Sequence, residues 1–218
     1  MIYRKTPQFN AGDTLLFEVK KQQHNQSQLK DFIHFIKYCG RRGPIRFKHI
    51  EERAELMANL TLKENLLLDL GMRENTNKSI SELLKKEERL ALSKLMDCVK
   101  DENTYPADAS TEDKKIISII KILFHSSDYL FLEKPEKFLC EEKQKVFFDA
   151  LFASKEKFNQ TLLITSDHRN LWLQYVSKIV SKAPNGHFVL SDIVRHSDTS
   201  NVVELKTSNT DFNSKKAA

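Results

Sequence analysis

Chemistry in this chain would have to come from a few scattered groups. Cys39, Cys98 and Cys140 are odd in number, far apart and outside any CxxC spacing. They fit a reducing compartment and neither a zinc site nor a disulfide framework. Two apolar runs stop on polar groups: YLFL (129–132) leads into Glu133-Lys134-Pro135, and TLLIT (161–165) into Ser166-Asp167-His168. Taken alone, His168 reads as a capping polar residue on a strand-to-helix loop. A backbone cradle for phosphate needs clustered glycines, and only five occur, Gly12, Gly40, Gly43, Gly71 and Gly186. An average chain of this length would hold about 15. Composition therefore argues against a phosphate-cradling enzyme. Basic pairs exist at Arg41-Arg42, Lys85-Lys86 and Lys114-Lys115, with net charge +5 and pI near 9.0. Acidic residues flank most of these pairs and aromatic residues do not interleave them, so a solvated mixed surface is expected rather than a nucleic-acid face, while Arg41, Arg42 and Arg46 could equally face anionic lipid or solvent.

The elements that must position these groups are legible from periodicity. The 218 residues, 40% of them hydrophobic, suit one domain with a sizeable core. No apolar stretch approaches the roughly 18 to 20 residues of a membrane span. The start, MIYRKTPQFN, carries no visible secretory signal. TLLFEV (14–19) reads as a strand after a Gly12-Asp13 turn, LKDFIHFIKYC (29–39) as an amphipathic helix closed by Gly40, and GPIRFKHI (43–50) as a turn and short strand. A helix over 60–70 opens on Thr61 with Glu64 three residues on, a capping box. Ser79 and Glu82 are expected to cap a longer helix running through Cys98. TYPADAS (104–110) turns into a helix from Ser110 that is apolar on nearly every side. YLFL and TLLIT read as buried strands around a helix over 141–158. A helix through Trp172, Tyr175 and Ile179 is expected next, then short strands near HFVLSDI and VVELK. The whole implies an α/β domain with a buried, mainly parallel sheet.

Two segments carry a resemblance when taken together: LTLKENLLLDLG (60–71), and SSDYLFLEKPEKFL (126–139) followed by LLITSDH (162–168). They resemble the ATPase subunit of ABC transporters. That family has a Leu-Thr-Val-x-Glu-Asn-Leu stretch after its glutamine loop and a strand ending in Asp-Glu-Pro. About thirty residues later comes a strand ending in a switch histidine. Order and local spacing hold over residues 12–190.

Laid on that pattern, most of the chemistry is replaced. The phosphate-loop glycine positions hold Val19, Gln22 and His24; the loop lysine falls on Asn25 and the magnesium-binding hydroxyl on Gln26, and only Ser27 matches. Side chains then fill the space that phosphates need against backbone amides. The glutamine loop lands on Glu52, a carboxylate that could hold a metal but would repel phosphate. The signature maps onto Ala109-Ser110-Thr111-Glu112-Asp113, with its serine kept and both glycines lost. Those residues read equally well as a helix start. Glu133 takes the magnesium-binding Asp position and Lys134 the catalytic Glu position, where an ordinary lysine cannot serve as general base. Cys140 stands where the following loop has Asp, and His168 matches the switch histidine.

The resemblance thus implies a P-loop-type ABC ATPase fold. It would form one domain over 1–206, with a helical subdomain at about 60–125, a trimmed N-terminal β part and a disordered tail at 207–218. Tyr3 lies too close to the first strand to stack on adenine. The implied function is a non-catalytic subunit without cofactor or resident metal. Such a subunit would lie cytoplasmically at the inner face of the membrane. It would dock on a membrane subunit's cytoplasmic helices or pair with an active ATPase subunit, a second copy being a further candidate. By position the docking residues would be Glu52, Arg53, Leu56, Met57 and Leu60, each of which could instead pack within the domain. The alternatives are an unorthodox ATPase using Glu133 and His168, with Lys20 or Lys21 replacing the loop lysine, and a basic nucleic-acid-binding protein.

Overall fold

The computed structural model describes residues 8–18, 28–41, 43–70, 78–86, 89–194 and 204–207. Strand β1 (Thr14–Phe17) leads to helix α1 (Leu29–Tyr38) and strand β2 (Phe47–Ile50). Four helices follow: α2 (Leu62–Leu70), α3 (Ile80–Lys86), α4 (Leu90–Met96) and α5 (Thr111–Phe124). Then come β3 (Tyr129–Glu133), α6 (Glu141–Phe158), β4 (Thr161–Thr165), α7 (Arg169–Leu173), β5 (Lys178–Lys182), β6 (Phe188–Val194) and β7 (Glu204–Thr207).

The strands form one sheet in the order β2-β3-β4-β1-β5-β6-β7. The first five are parallel, with Leu15 beside Leu163 and Leu130 beside Leu162; β6 and β7 close the far edge antiparallel. Period-two alternation splits the apolar strands between two cores. Leu16, Leu130, Leu132, Leu162 and Ile164 pack with helices α2 to α7. Leu15, Phe17, Phe131 and Leu163 pack instead with Phe32, Phe35 and Ile36 of α1. Both faces being covered is why YLFL and TLLIT read as unbroken apolar runs. The mixed α/β fold with a mainly parallel sheet expected from the sequence is therefore present.

Local signals placed several elements well. Thr61 and Glu64 form a reciprocal capping box, the Thr61 N–H donating to Glu64 Oε2 at 2.8 Å and the Glu64 N–H to Thr61 Oγ1 at 3.2 Å. Ser110 Oγ accepts from the Asp113 N–H at 3.0 Å and starts α5. At Gly12, φ is +82° and an added Cβ would lie 2.8 Å from Asn159 Oδ1, so only glycine fits that turn.

Two expected elements differ. The single helix expected from Ser79 through Cys98 is two helices, because Arg89 leaves helical geometry at φ −106°, ψ 52°. Its guanidinium lies over the rings of Phe124 and Phe158, at 5.2 and 5.0 Å, and donates to the Phe124 carbonyl. Those tertiary contacts outweigh helix propensity. The helix expected through Ile179 stops at Leu173, and Ile179 lies in β5 beside Leu16 of β1. The Ser177 N–H and hydroxyl both donate to the Thr14 carbonyl, starting the parallel pairing. Strand β7 reaches Thr207; residues 208–218, Tyr3 and Gly71 lie outside the described residues. Among the described residues no helix is long and apolar enough to cross a membrane.

Candidate functional site

The connections leaving the neighbouring strands β1 and β4 run in opposite directions, to β2 and to β5, and clefts in open parallel sheets lie outside the carboxyl ends of strands at such points. Glu133 ends β3 there, and the loop 166–168 leaves β4 beside it. Val19, Gln22, His24, Asn25, Gln26 and Ser27, as well as Lys20 and Lys21, lie outside the described residues.

The Glu133 carboxylate, 7% exposed, accepts the backbone N–H of Gln28 at 2.6 Å, just ahead of α1. A carboxylate of the chain itself thus sits against a helix start, where the exposed N–H groups favour an anion. His49 Nε2 approaches the same oxygen to 3.1 Å from a direction that makes no hydrogen bond.

Lys134 follows with φ 41°, a left-handed conformation unusual for a long side chain. Its N–H donates to the Thr165 carbonyl at 2.9 Å, and its ammonium lies 3.2 Å from Glu52 Oε2 and 3.0 Å from Asp167 Oδ2. Lys137 also pairs with Glu52. Burial pushes the Glu52 carboxyl up, but hydrogen bonds and charge from Lys137 and Lys134 hold it below its ordinary range. Burial likewise works against the charge of Lys134, and its bonds to Asp167 and Glu52 raise its pKa despite that.

Sequence reading missed three groups here. Glu136 is 1% exposed and accepts the Ser166 hydroxyl and, at 3.1 Å, the Trp172 indole N–H. Ser166 Oγ in turn accepts the His168 N–H at 2.8 Å. Lys115, also 1% exposed, donates from Nζ to the carbonyls of Glu51 at 2.5 Å and Glu52 at 3.1 Å. Desolvation pushes its pKa down to about 8, although Glu136, Glu52, Glu133 and Glu51 oppose the shift. A charged residue just ahead of the apolar run in α5 was the only available signal for Lys115. Glu136 and Trp172 meet from 36 positions apart and left none.

His168 itself is exposed at the start of α7, on the loop after the strand next to Glu133. The segment from Ser110 lies elsewhere. Glu112 accepts the Cys140 N–H at 2.8 Å and the Lys143 ammonium at 2.7 Å, bolting the start of α5 to the start of α6. Burial pushes the Glu112 carboxyl up, but Lys143 and Cys140 together hold it low. Thr111 begins α5 beside its capping Ser110, and the Cys140 thiol is exposed.

Of the candidate docking residues, Leu56 packs against the main core and Leu60 is half-buried, while Arg53 and Met57 are exposed. Asn65, 2% exposed, fixes this loop. Its Oδ1 accepts the Met57 N–H at 2.8 Å, and its Nδ2 donates to the carbonyls of Met57, Leu60 and Thr61 at 2.9–3.1 Å. Among the described residues no three His, Cys, Asp or Glu side chains converge to hold a metal ion.

Comparison with known proteins follows the same lines. No family model matches the chain. The lipoprotein-releasing system ATP-binding protein LolD of Buchnera aphidicola subsp. Schizaphis graminum (strain Sg) is 28% identical over 109 residues, and the match spans 47% of each protein. The chain therefore aligns with about half the length of that relative. An ATP-binding subunit of an ABC transporter superposes with a TM-score of 0.57 at 19% identity, covering 78% of this chain and 74% of that one. A dimeric ATP-binding cassette in a post-hydrolysis state, bound to ADP and Pi, superposes with a TM-score of 0.55 at 14% identity, covering 80% and 83%. The chain has the fold of an ABC transporter ATP-binding subunit and is similar in sequence to the ATP-binding protein LolD over about half of its own length.

Proposed function

We propose that the chain is a non-catalytic subunit of ABC type, a structural or regulatory partner in an ABC-type membrane transport complex. The observation that carries this reading is the setting of Lys134. Its position corresponds to the carboxylate that activates water in the family, and it holds a protonated amine between Glu52 and Asp167. Such an amine has no lone pair with which to accept a proton from water. Beside it, Glu133 is engaged by the Gln28 N–H, and elsewhere, at the signature position, Glu112 is engaged by Cys140 and Lys143. Phosphoryl transfer depends on positive charge placed around the moving phosphate. These positions supply carboxylates already committed to partners within the chain.

The loop over 52–60, shaped by Asn65 and offering Met57, is the surface proposed for a membrane subunit's cytoplasmic helices, which would place the protein at the inner face of that membrane. The edge bearing His168 would face an active ATPase subunit or a second copy. Isothermal titration with magnesium-ATP and a phosphate-release assay test the central reading. Neither micromolar binding nor hydrolysis is expected. Magnesium-dependent binding would favour the unorthodox ATPase instead. Co-purification with a full-motif ATPase and a membrane protein is the expected partner result, and recovery as a lone monomer counts against it.

A further inference from the structure

The turn from Glu133 to Leu139 is bolted to two other loops by charge. Toward β4, the Lys134 N–H bonds the Thr165 carbonyl, the Lys134 ammonium bonds Asp167, and Glu136 takes the Ser166 hydroxyl. Toward β2, the same ammonium and that of Lys137 hold Glu52. Lys115 holds the carbonyls of Glu51 and Glu52 from α5. Glu52 and Asp167 are 115 positions apart in sequence and share one nitrogen atom, Lys134 Nζ. The Lys134 backbone is held at φ 41° while its side chain lies between them, only 12% exposed. A non-glycine residue persists in that conformation where its surroundings over-determine it.

We propose that the Glu52–Lys134–Asp167 bridge is a conformational tie, held by the chain's own charges, that makes the loop after β2 and the loop after β4 one cooperative unit. The tie deepens the non-catalytic reading above and rests on it for its biological sense. Its physical content is separate. Breaking the bridge at one end loosens the loop at the other, because the Lys134 side chain is held in place from both sides and loses one of its two anchors, while Lys137 stays on Glu52. The loop fixed by Asn65 at 57–61 is thereby linked to the loop that presents His168.

Hydrogen–deuterium exchange on the full chain tests this, comparing wild type with Asp167→Asn, Glu52→Gln, Lys134→Met and Lys134→Arg. Asp167→Asn is expected to speed exchange over 51–57, and Glu52→Gln over 166–169, each by roughly two- to tenfold, the lower part of the range for coupled neighbouring residues, as suits partly solvated pairs. Lys134→Met should release both segments and Lys134→Arg should largely restore them. Trp172 emission and melting establish that each variant is folded. Asp167, 41% exposed at its side chain, is the mildest site should Lys134→Met fail to fold. Faster exchange confined to the substituted residue's own loop overturns the tie. Titration with magnesium-ATP is an independent arm: binding there overturns the non-catalytic reading and leaves the exchange result to judge the tie.

Discussion

The indole N–H of Trp172 donates to the buried carboxylate of Glu136 at 3.1 Å, and the same carboxylate takes the hydroxyl of Ser166. Trp172 is the chain's one tryptophan, so its emission reports directly on the turn after β3. Glu136→Ala leaves a buried N–H and a hydroxyl without their acceptor and should cost about 2–4 kcal/mol. Urea unfolding followed by Trp172 emission checks the loss. A midpoint unchanged from wild type would refute it.

Lys134→Glu restores the carboxylate that the resemblance places at that position, yet no ATP hydrolysis is expected from it. The new carboxylate would face Glu52 and Asp167, and no positive charge is added for a phosphate. Stability should fall by roughly 1–3 kcal/mol, below the buried-pair range because both partners are partly solvated. Phosphate release and thermal melting of the variant are the measurements.

Lys115 gives a pH dependence of definite sign. Its pKa is about 8 in the fold against 10.5 for a free lysine, with desolvation the main cause. Between those values the unfolded chain binds more protons than the folded one, so this residue's contribution to stability rises as pH rises. Below about pH 8 the ammonium is charged in both states and its burial is a standing cost. Denaturation of wild type and Lys115→Met from pH 7 to 10.5 isolates the effect: wild type should gain on the variant across the window.

Asn65→Ala removes the side chain that bonds the Met57 N–H and the Leu60 carbonyl, while the Met57 and Thr61 carbonyls keep the backbone N–H groups of Leu60 and Asn65. A loss of about 1–2 kcal/mol is expected from the partly buried groups that lose their partner. Proteolysis should quicken within 57–61 while the α6 segment stays protected. Equal acceleration in both places would point to global unfolding and against a local clamp.

At α5, Ser110→Ala should cost about 1 kcal/mol through loss of the cap. Glu112→Ala should add to it, since the Cys140 N–H and Lys143 lose their shared acceptor. Chemical denaturation of the single and double variants measures both losses and their additivity.

Short-range physics was readable without coordinates. The capping box at Thr61 and Glu64, the cap at Ser110, the extent of α6 and the unbroken apolar runs of β3 and β4 follow from neighbours within a few positions, so their residue types determine them. The mainly parallel sheet followed because runs apolar on both faces need cover on both. Tertiary structure alone decided the rest. Arg89 breaks a helix because Phe124 and Phe158 reach it from other helices, and Ile179 joins a strand because Thr14 receives Ser177. Lys115, Glu136 and Lys134 acquire their partners from loops that only the folded sheet brings together. Electrostatic energy depends on ångström separations and on burial. A sequence fixes which charges exist, and the fold decides which of them meet away from water.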